Sequence, residues 1–234
     1  MLFSAFFVQT GQGNAVADTC KTERDGIMDK ANTNISRKLN RMTGLAILSA
    51  IIVVVQIICT FIKFGPFSIT LALAPIIVGA AVYGASGGAC LGLMMGIVVL
   101  VTGLFGWDGG TVVFLMGQNA FATVLICLVK STAAGALAGL IYRVLQKKSS
   151  FLGVLLGGIV CPIVNTGLFL LGMCAFFLSV LQSWAGGQKL MYYVIFGLTG
   201  WNFLVELVVN VALSGAISSI IRTVTTHRSH LHAS

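Results

Sequence analysis

Residues 64–107 decide the fold, and they read FGPFSITLALAPIIVGAAVYGASGGACLGLMMGIVVLVTGLFGW. This stretch has no charged side chain and is more than twice the roughly 20 apolar residues that a helix needs to cross a bilayer. Within it, residues 83–88 read YGASGG, and such a run of small, flexible residues predicts a turn. We therefore expect two membrane helices here, near 68–84 and 87–105.

The whole chain shares the apolar character of this stretch. Of its 234 residues, 57% are hydrophobic and only 9% are charged, and the mean hydropathy is +1.00. Soluble proteins carry about 25% charged residues, and so few charges cannot cover a surface exposed to water. The composition predicts a protein solvated by lipid. It excludes a cytosolic enzyme, a nucleic-acid-binding domain and a disulfide-stapled secreted module.

Further apolar segments of membrane-spanning length lie on both sides of residues 64–107. Together they predict an all-α, polytopic membrane protein with six transmembrane helices, in a membrane domain at 42–222. The expected helices lie near 43–62, 68–84, 87–105, 119–142, 151–181 and 194–221.

The basic residues predict that both termini are cytoplasmic, because cytoplasmic loops of membrane proteins collect Lys and Arg. With both ends inside, the outer connections hold only Lys63, Lys189 and the acid Asp108. Residues 223–234 then form a cytoplasmic tail. The inner segments hold Arg37, Lys38, Arg41, Arg143, Lys147, Lys148, Arg222 and Arg228.

Residues 1–41 are polar and mixed in charge, and we interpret them as an N-terminal tail. Residues 23–27, ERDGI, can be encoded by a purine-rich run that resembles a ribosome-binding site, and Met28 follows directly. We therefore hypothesise that translation begins at Met28 and that 1–27 is not translated. The alternative is a genuine disordered tail. Peptides from Lys21 and upstream, found in the native protein, would exclude the Met28 start.

Two ionisable residues, Lys130 and Glu206, are expected deep in the membrane. Each lies about 11–12 residues from the outer end of its helix, which at 1.5 Å per residue is roughly 17 Å, near the bilayer midplane. Charges at such depth are costly and usually functional or paired. Two interpretations stay open. The residues pair with each other, or Lys130 meets an anionic substrate while Glu206 orients it or binds a polar group.

Three asparagines add polar groups to three of the expected helices. Asn119 precedes Lys130 by about three helical turns, so an unbroken helix would place them on one face. Asn202 lies one turn before Glu206, and Asn165 lies near mid-depth in the fifth expected helix. Amide side chains in a membrane can also form hydrogen bonds with one another between helices and bind no substrate. Polar groups sent to one level by three helices nevertheless favour a substrate cavity.

The sequence offers no catalytic or metal-binding pattern. A membrane enzyme would need a nucleophile–base pair or metal ligands at depth, yet the first histidine is His227, in the polar C-terminal region. The cysteines form no CxxC pair and mostly lie in apolar runs, where they serve as packing residues. We expect no catalytic residue, no metal and no cofactor.

Several segments resemble the substrate-binding S components of energy-coupling factor (ECF) vitamin transporters. They are 67–84, FSITLALAPIIVGAAVYG, then the glycine-rich 88–96, and 162–167, PIVNTG, within a chain whose six expected helices span about 43–222. The resemblance implies a multi-pass protein of a prokaryotic cell membrane that captures a vitamin from outside. The chain has no Walker motif, in agreement with ATP hydrolysis by partner subunits.

The resemblance also implies protein partners. S components dock through small residues of their first helix onto a transmembrane coupling subunit, which two ATPase subunits drive. In this chain the small residues are Ala46 and Ala50, whose spacing permits close helix approach. An alternative from another class is an accessory or structural membrane protein that binds no ligand.

The substrate is the least determined feature. The pattern is closest to the pantothenate-type branch, and Lys130 suits its carboxylate electrostatically. Biotin, nicotinate, lipoate and folate carry carboxylates too, so charge alone does not choose among them. The expected substrate-binding residues are Asn119, Lys130, Asn165, Asn202 and Glu206.

Overall fold

The computed structural model describes residues 33, 35–64, 67–68 and 70–230, with backbone alone at 63–64, 67–68, 198–199, 201–202 and 220–230. The hypotheses about 1–27 and Met28 lie outside these residues. By internal contacts the chain divides into two units, 1–44 and 45–234. The packed core and the cavity described below lie in the second unit.

The described ranges are almost entirely helical, apart from a short antiparallel ribbon in which Phe64 lies opposite Phe67. A π-helix directly precedes the last α-helix. In chain order the elements are α1 (Ile35–Thr60), β1 (Lys63–Phe64), β2 (Phe67–Ser68), α2 (Leu73–Leu104), α3 (Thr111–Leu145), α4 (Ser150–Phe176), α5 (Leu178–Ala185), α6 (Leu190–Tyr192), the π-helix (Tyr193–Thr199) and α7 (Gly200–His230).

Four of the described helices, α1 to α4, are long and apolar enough to cross a membrane, and α7 contains a shorter apolar segment, Phe203–Ser219. Large apolar side chains point outward on these helices, for example Val54, Phe121, Leu171 and Val208. Such a surface would be unfavourable in water and suits lipid. The predicted helical fold is confirmed for the described residues.

The helix α2 turns back on itself at Gly84, whose φ of 76° is readily adopted by glycine. A Cβ added to Gly88 would lie 2.8 Å from the Cβ of Ala80. Residues so spaced in a straight helix are about 12 Å apart, so the two limbs lie side by side. The predicted turn at 83–88 is confirmed. The first limb begins at Leu73 rather than near 68, because Phe67 and Ser68 pair in the ribbon.

The helix α3 is interrupted at Asn119, where φ is −156° and ψ is 96°. Asn119 Oδ1 accepts a hydrogen bond from the Ala122 N–H at 3.1 Å, which caps the segment that follows. The expected helix start near 119 matches this break. Residues 111–118 form a further helical segment, which Asp108 caps by accepting from the Gly110 and Val112 N–H groups.

Other boundaries differ from those expected. The first helix begins at Ile35 rather than near 43. The expected helix 151–181 is interrupted at Phe177, whose backbone is not helical, and so divides into α4 and α5. The last helix continues to His230, past the expected 221. In each case the apolar pattern located the element, whereas its ends depend on capping and local backbone geometry.

Glycines bring α2 and α3 into backbone contact. They recur one per helical turn on α2 and face small residues spaced likewise on α3, with the two helices antiparallel. A Cβ at any of these α2 positions would lie within 2.7 Å of a carbonyl oxygen of α3, so the contact requires glycine. The contacting pairs are Gly88–Gly135, Gly92–Ser131 and Gly96–Cys127.

Candidate substrate-binding site

A cavity of about 100 Å³ lies among α1, α2, α3, α4, α7 and the linker that precedes α2. Three of the predicted site residues, Lys130, Asn165 and Glu206, line it. Its other polar side chains are contributed by residues that the sequence analysis did not assign to the site. These are Gln56, Thr60, Thr70, Thr102, Asp108, Thr123 and Thr166.

Lys130 is held over an aromatic ring. Its Nζ lies 4.9 Å from the centroid of the Phe169 ring, a cation–π arrangement. Phe169 lies one turn after Asn165 on α4, so both face the cavity. Within the described part of the chain, no carboxylate forms an ion pair with Lys130. The cation is oriented by Phe169 but its charge is not neutralised there.

Glu206 is 3% exposed, and its two carboxylate oxygens differ. Oε1 accepts a hydrogen bond from the backbone N–H of Thr70 at 2.9 Å, which ties the linker before α2 to α7. Oε2 is buried and has no hydrogen-bond partner among the residues that the structure describes. The open question of a mutual ion pair is therefore answered for the described residues: Lys130 and Glu206 share the cavity without pairing directly.

Asn165 links the cavity to the glycine interface. It is 3% exposed, and its Oδ1 receives a long hydrogen bond, 3.5 Å, from the hydroxyl of Ser131. Ser131 is the α3 residue that packs against Gly92. Asn165, on the fifth expected helix, thus lines the same cavity as Lys130.

The other two predicted site residues, Asn119 and Asn202, are not among the described residues that line the cavity. Asn119 is exposed, and its side chain caps α3. The expectation that it shares a helical face with Lys130 fails, because the extended backbone at Asn119 breaks the periodicity on which that expectation depended. The side chain of Asn202 lies outside the described residues, so its role stays a prediction.

Gln56 is the main residue that the sequence analysis missed. It lines the cavity from α1 and is 2% exposed, and its Oε1 is buried without a hydrogen-bond partner in the described part of the chain. The hydroxyl of Thr60, one turn later, donates to the Gln56 carbonyl at 2.8 Å. The sequence did contain a signal for this residue, since Gln56 is the one amide side chain in 42–62, the charge-free run of α1.

Apolar side chains cover one side of the cavity. Leu115, Ile126, Met173 and Phe177 line it and belong to a buried cluster formed by α3, α4 and α5. A wall of this kind keeps water from the polar groups and so strengthens their electrostatic interactions. The site can therefore bind a small molecule that is part apolar, with an anionic group beside Lys130.

Known proteins are similar to this chain in sequence and in fold. The family model for the ECF transporter substrate-specific component matches residues 40–222. The pantothenic acid transporter PanT of Lactococcus lactis subsp. cremoris (strain MG1363) is 30% identical over 190 residues, which cover 77% of this chain and 92% of that protein. In structure the chain is similar to ThiT from Listeria monocytogenes, with a TM-score of 0.52 over 80% of this chain and 96% of that one. At 18% identity, this likeness shows the fold alone.

The chain belongs to the family of substrate-specific components of ECF transporters. It is a membrane protein of vitamin uptake, and its family is a substrate-binding transport component and not an enzyme. The resemblance found in the sequence is confirmed, and it decides against an accessory or structural protein without a ligand.

Proposed function

We propose that this protein captures pantothenate at the outer face of a bacterial cell membrane, within the cavity that Lys130 and Glu206 line. The bound vitamin then passes inward through a coupling module of one transmembrane subunit and two ATPase subunits. Lys130 carries the proposal, because it is a cation at a partly apolar cavity with no carboxylate paired to it among the described residues.

The choice of pantothenate is supported by two observations. The PanT relative, named a pantothenic acid transporter, is similar over most of both chains. The cavity also has the chemistry of that molecule, since Lys130 suits a carboxylate, the threonines and Asn165 suit hydroxyl and amide groups, and Phe169 and Met173 suit methyl groups.

The proposed topology has six spans with both termini cytoplasmic. It is supported by the reversal of α2 at Gly84, which divides one long apolar helix into two limbs, and by the distribution of basic residues. Arg143, Lys147 and Lys148 lie at the end of α3 opposite to Asp108, which caps its start. On the proposed topology the basic end of α3 lies inside and its Asp108 end lies outside.

The proposed docking surface for the coupling subunit is the face of α1 that carries Ala46 and Ala50. Both residues are exposed, as are Ile47, Ile51 and Val54 near them. The result is an apolar strip with two small positions at which another helix can approach closely.

The experiment is identification of the retained ligand. The protein is purified in detergent from cells grown with pantothenate, and released small molecules are identified by native mass spectrometry and metabolite analysis. We expect one pantothenate per chain, and its absence from the Lys130→Met variant purified in parallel. A different vitamin retained stoichiometrically would contradict the choice of substrate, and retention of none after growth with each candidate vitamin would contradict tight capture.

A further inference from the structure

Among the described residues, two buried oxygen atoms at the cavity have no hydrogen-bond partner: Oε1 of Gln56 and Oε2 of Glu206. Their side chains are 2% and 3% exposed. Buried acceptors in proteins are almost always satisfied, because leaving one unpaired costs free energy. Both atoms belong to residues that line the same cavity, so a ligand there can satisfy both.

The two acceptors and the cation come from different elements. Gln56 lies on α1 and Glu206 on α7, whereas Lys130 lies on α3 and is held over Phe169 of α4. Glu206 is fixed by the Thr70 N–H at its other oxygen, so Oε2 cannot turn away without losing that bond. A ligand that contacts all three groups must present an anion to Lys130 and hydrogen-bond donors to the α1 and α7 side.

We propose that Gln56 and Glu206 form an acceptor pair that recognises O–H or N–H donors of the substrate, while Lys130 receives its carboxylate. The inference rests on the proposed function in taking the substrate to be a carboxylate, and it adds a requirement on the rest of the molecule. The substrate class is a carboxylate with donors away from the carboxyl group. Lipoate and nicotinate lack such donors and are excluded.

Gln56 becomes a specificity-determining residue on this account. With Gln56→Leu, a donor of the ligand stays buried without an acceptor, which weakens binding by about tenfold or more. The empty protein loses no hydrogen bond to a described residue, since the removed oxygen has none there, so we expect its thermal stability to stay equal or rise. A structural role for Gln56 would instead lower the stability of the empty protein.

The test measures dissociation constants by calorimetry on the purified chain and three variants, with pantothenate, its neutral alcohol pantothenol, biotin, lipoate and nicotinate as probes. The variants are Gln56→Leu, Gln56→Met and the matched control Gln146→Leu, which removes an exposed glutamine at the far end of α3. We expect pantothenate and pantothenol both to bind about tenfold more weakly to the two Gln56 variants and equally to the control.

The outcomes separate the two proposals. Unchanged pantothenate binding by a folded Gln56 variant overturns the acceptor pair and leaves the proposed function standing. Failure of the parent chain to bind pantothenate, with binding of biotin that the Gln56 variants weaken, overturns the proposed substrate and supports the acceptor pair. Tight binding of lipoate or nicotinate overturns the acceptor pair directly, whether or not the variants fold.

Discussion

The interface between α2 and α3 and the cavity beside it use the same helix in opposite ways. At the interface, α3 meets α2 through backbone atoms, and Gly92 leaves no space for a Cβ against Ser131. At the cavity, Lys130, the residue directly before Ser131, contacts the Phe169 ring, and no described carboxylate pairs with it. Among the described residues, the helix interface buries no side-chain polar atom without a hydrogen bond. The cavity has two such atoms, Oε1 of Gln56 and Oε2 of Glu206.

The difference shows how a membrane protein can hold costly polar groups in place. An interface without side chains between the backbones is stiff, because neither helix can move closer or rotate without a clash. Lys130 lies in sequence between two α3 residues of that interface, Cys127 and Ser131, so its Cα is fixed relative to α2. The oxygens of Gln56 and Glu206 can then remain without a hydrogen bond to described residues, because the packed helices around the cavity are rigid.

The largest effect is expected at the glycine interface. Gly92→Leu forces the helices apart, because the added side chain meets the Ser131 carbonyl, and we expect a loss of more than about 3 kcal/mol of stability or no folded protein. The matched control is Gly117→Leu on α3, where no atom lies within 4 Å of an added Cβ. Thermal unfolding in detergent measures both, and equal melting temperatures would contradict the backbone contact.

The next effect concerns small residues that are exposed rather than buried. Ala46→Trp and Ala50→Trp should each reduce pantothenate uptake in cells by about tenfold or more, because a bulky side chain prevents close helix approach. Pantothenate binding by the purified chain should not change. Val208→Trp on α7 is the control, since Val208 is also exposed. Normal uptake by both alanine variants would remove the proposed docking surface.

A smaller effect distinguishes a cap from a binding residue at Asn119. Asn119→Ala removes the acceptor for the Ala122 N–H, which should cost about 1 kcal/mol of stability. Asn119→Ser keeps a capping oxygen and should recover most of it. Pantothenate affinity should stay within about twofold in both variants. If affinity fell in Asn119→Ala without a loss of stability, Asn119 would belong to the site after all.

Much of this fold could be predicted from local sequence. The turn at Gly84 followed from a run of small residues, since a positive φ is readily adopted by glycine. Counting residues along the expected helices predicted one depth in the membrane for Lys130, Asn165 and Glu206. In the structure all three line one cavity.

The rest depended on interactions that no local pattern contains. The bond from Thr70 to Glu206 joins residues 136 positions apart, so it exists only once the helices have packed. The break at Asn119 follows from one residue's backbone angles, which periodicity does not report. Gln56 was not predicted as a site residue because it lies in an apolar run that was identified by its lack of charge. A neutral amide does not interrupt such a run.

The central claim is that Lys130 receives the carboxylate of the substrate, and one measurement tests it most directly. Dissociation constants for pantothenate and for pantothenol, which has an alcohol in place of the carboxylate, are compared in the parent chain, Lys130→Met and Lys147→Met. Lys147 is an exposed lysine just beyond the end of α3 and serves as the control.

We expect the parent chain and Lys147→Met to prefer pantothenate by about 100-fold, the effect of a buried charge pair. In Lys130→Met, the two ligands should bind within about threefold of each other. A preference for pantothenate that survives in Lys130→Met would contradict the account.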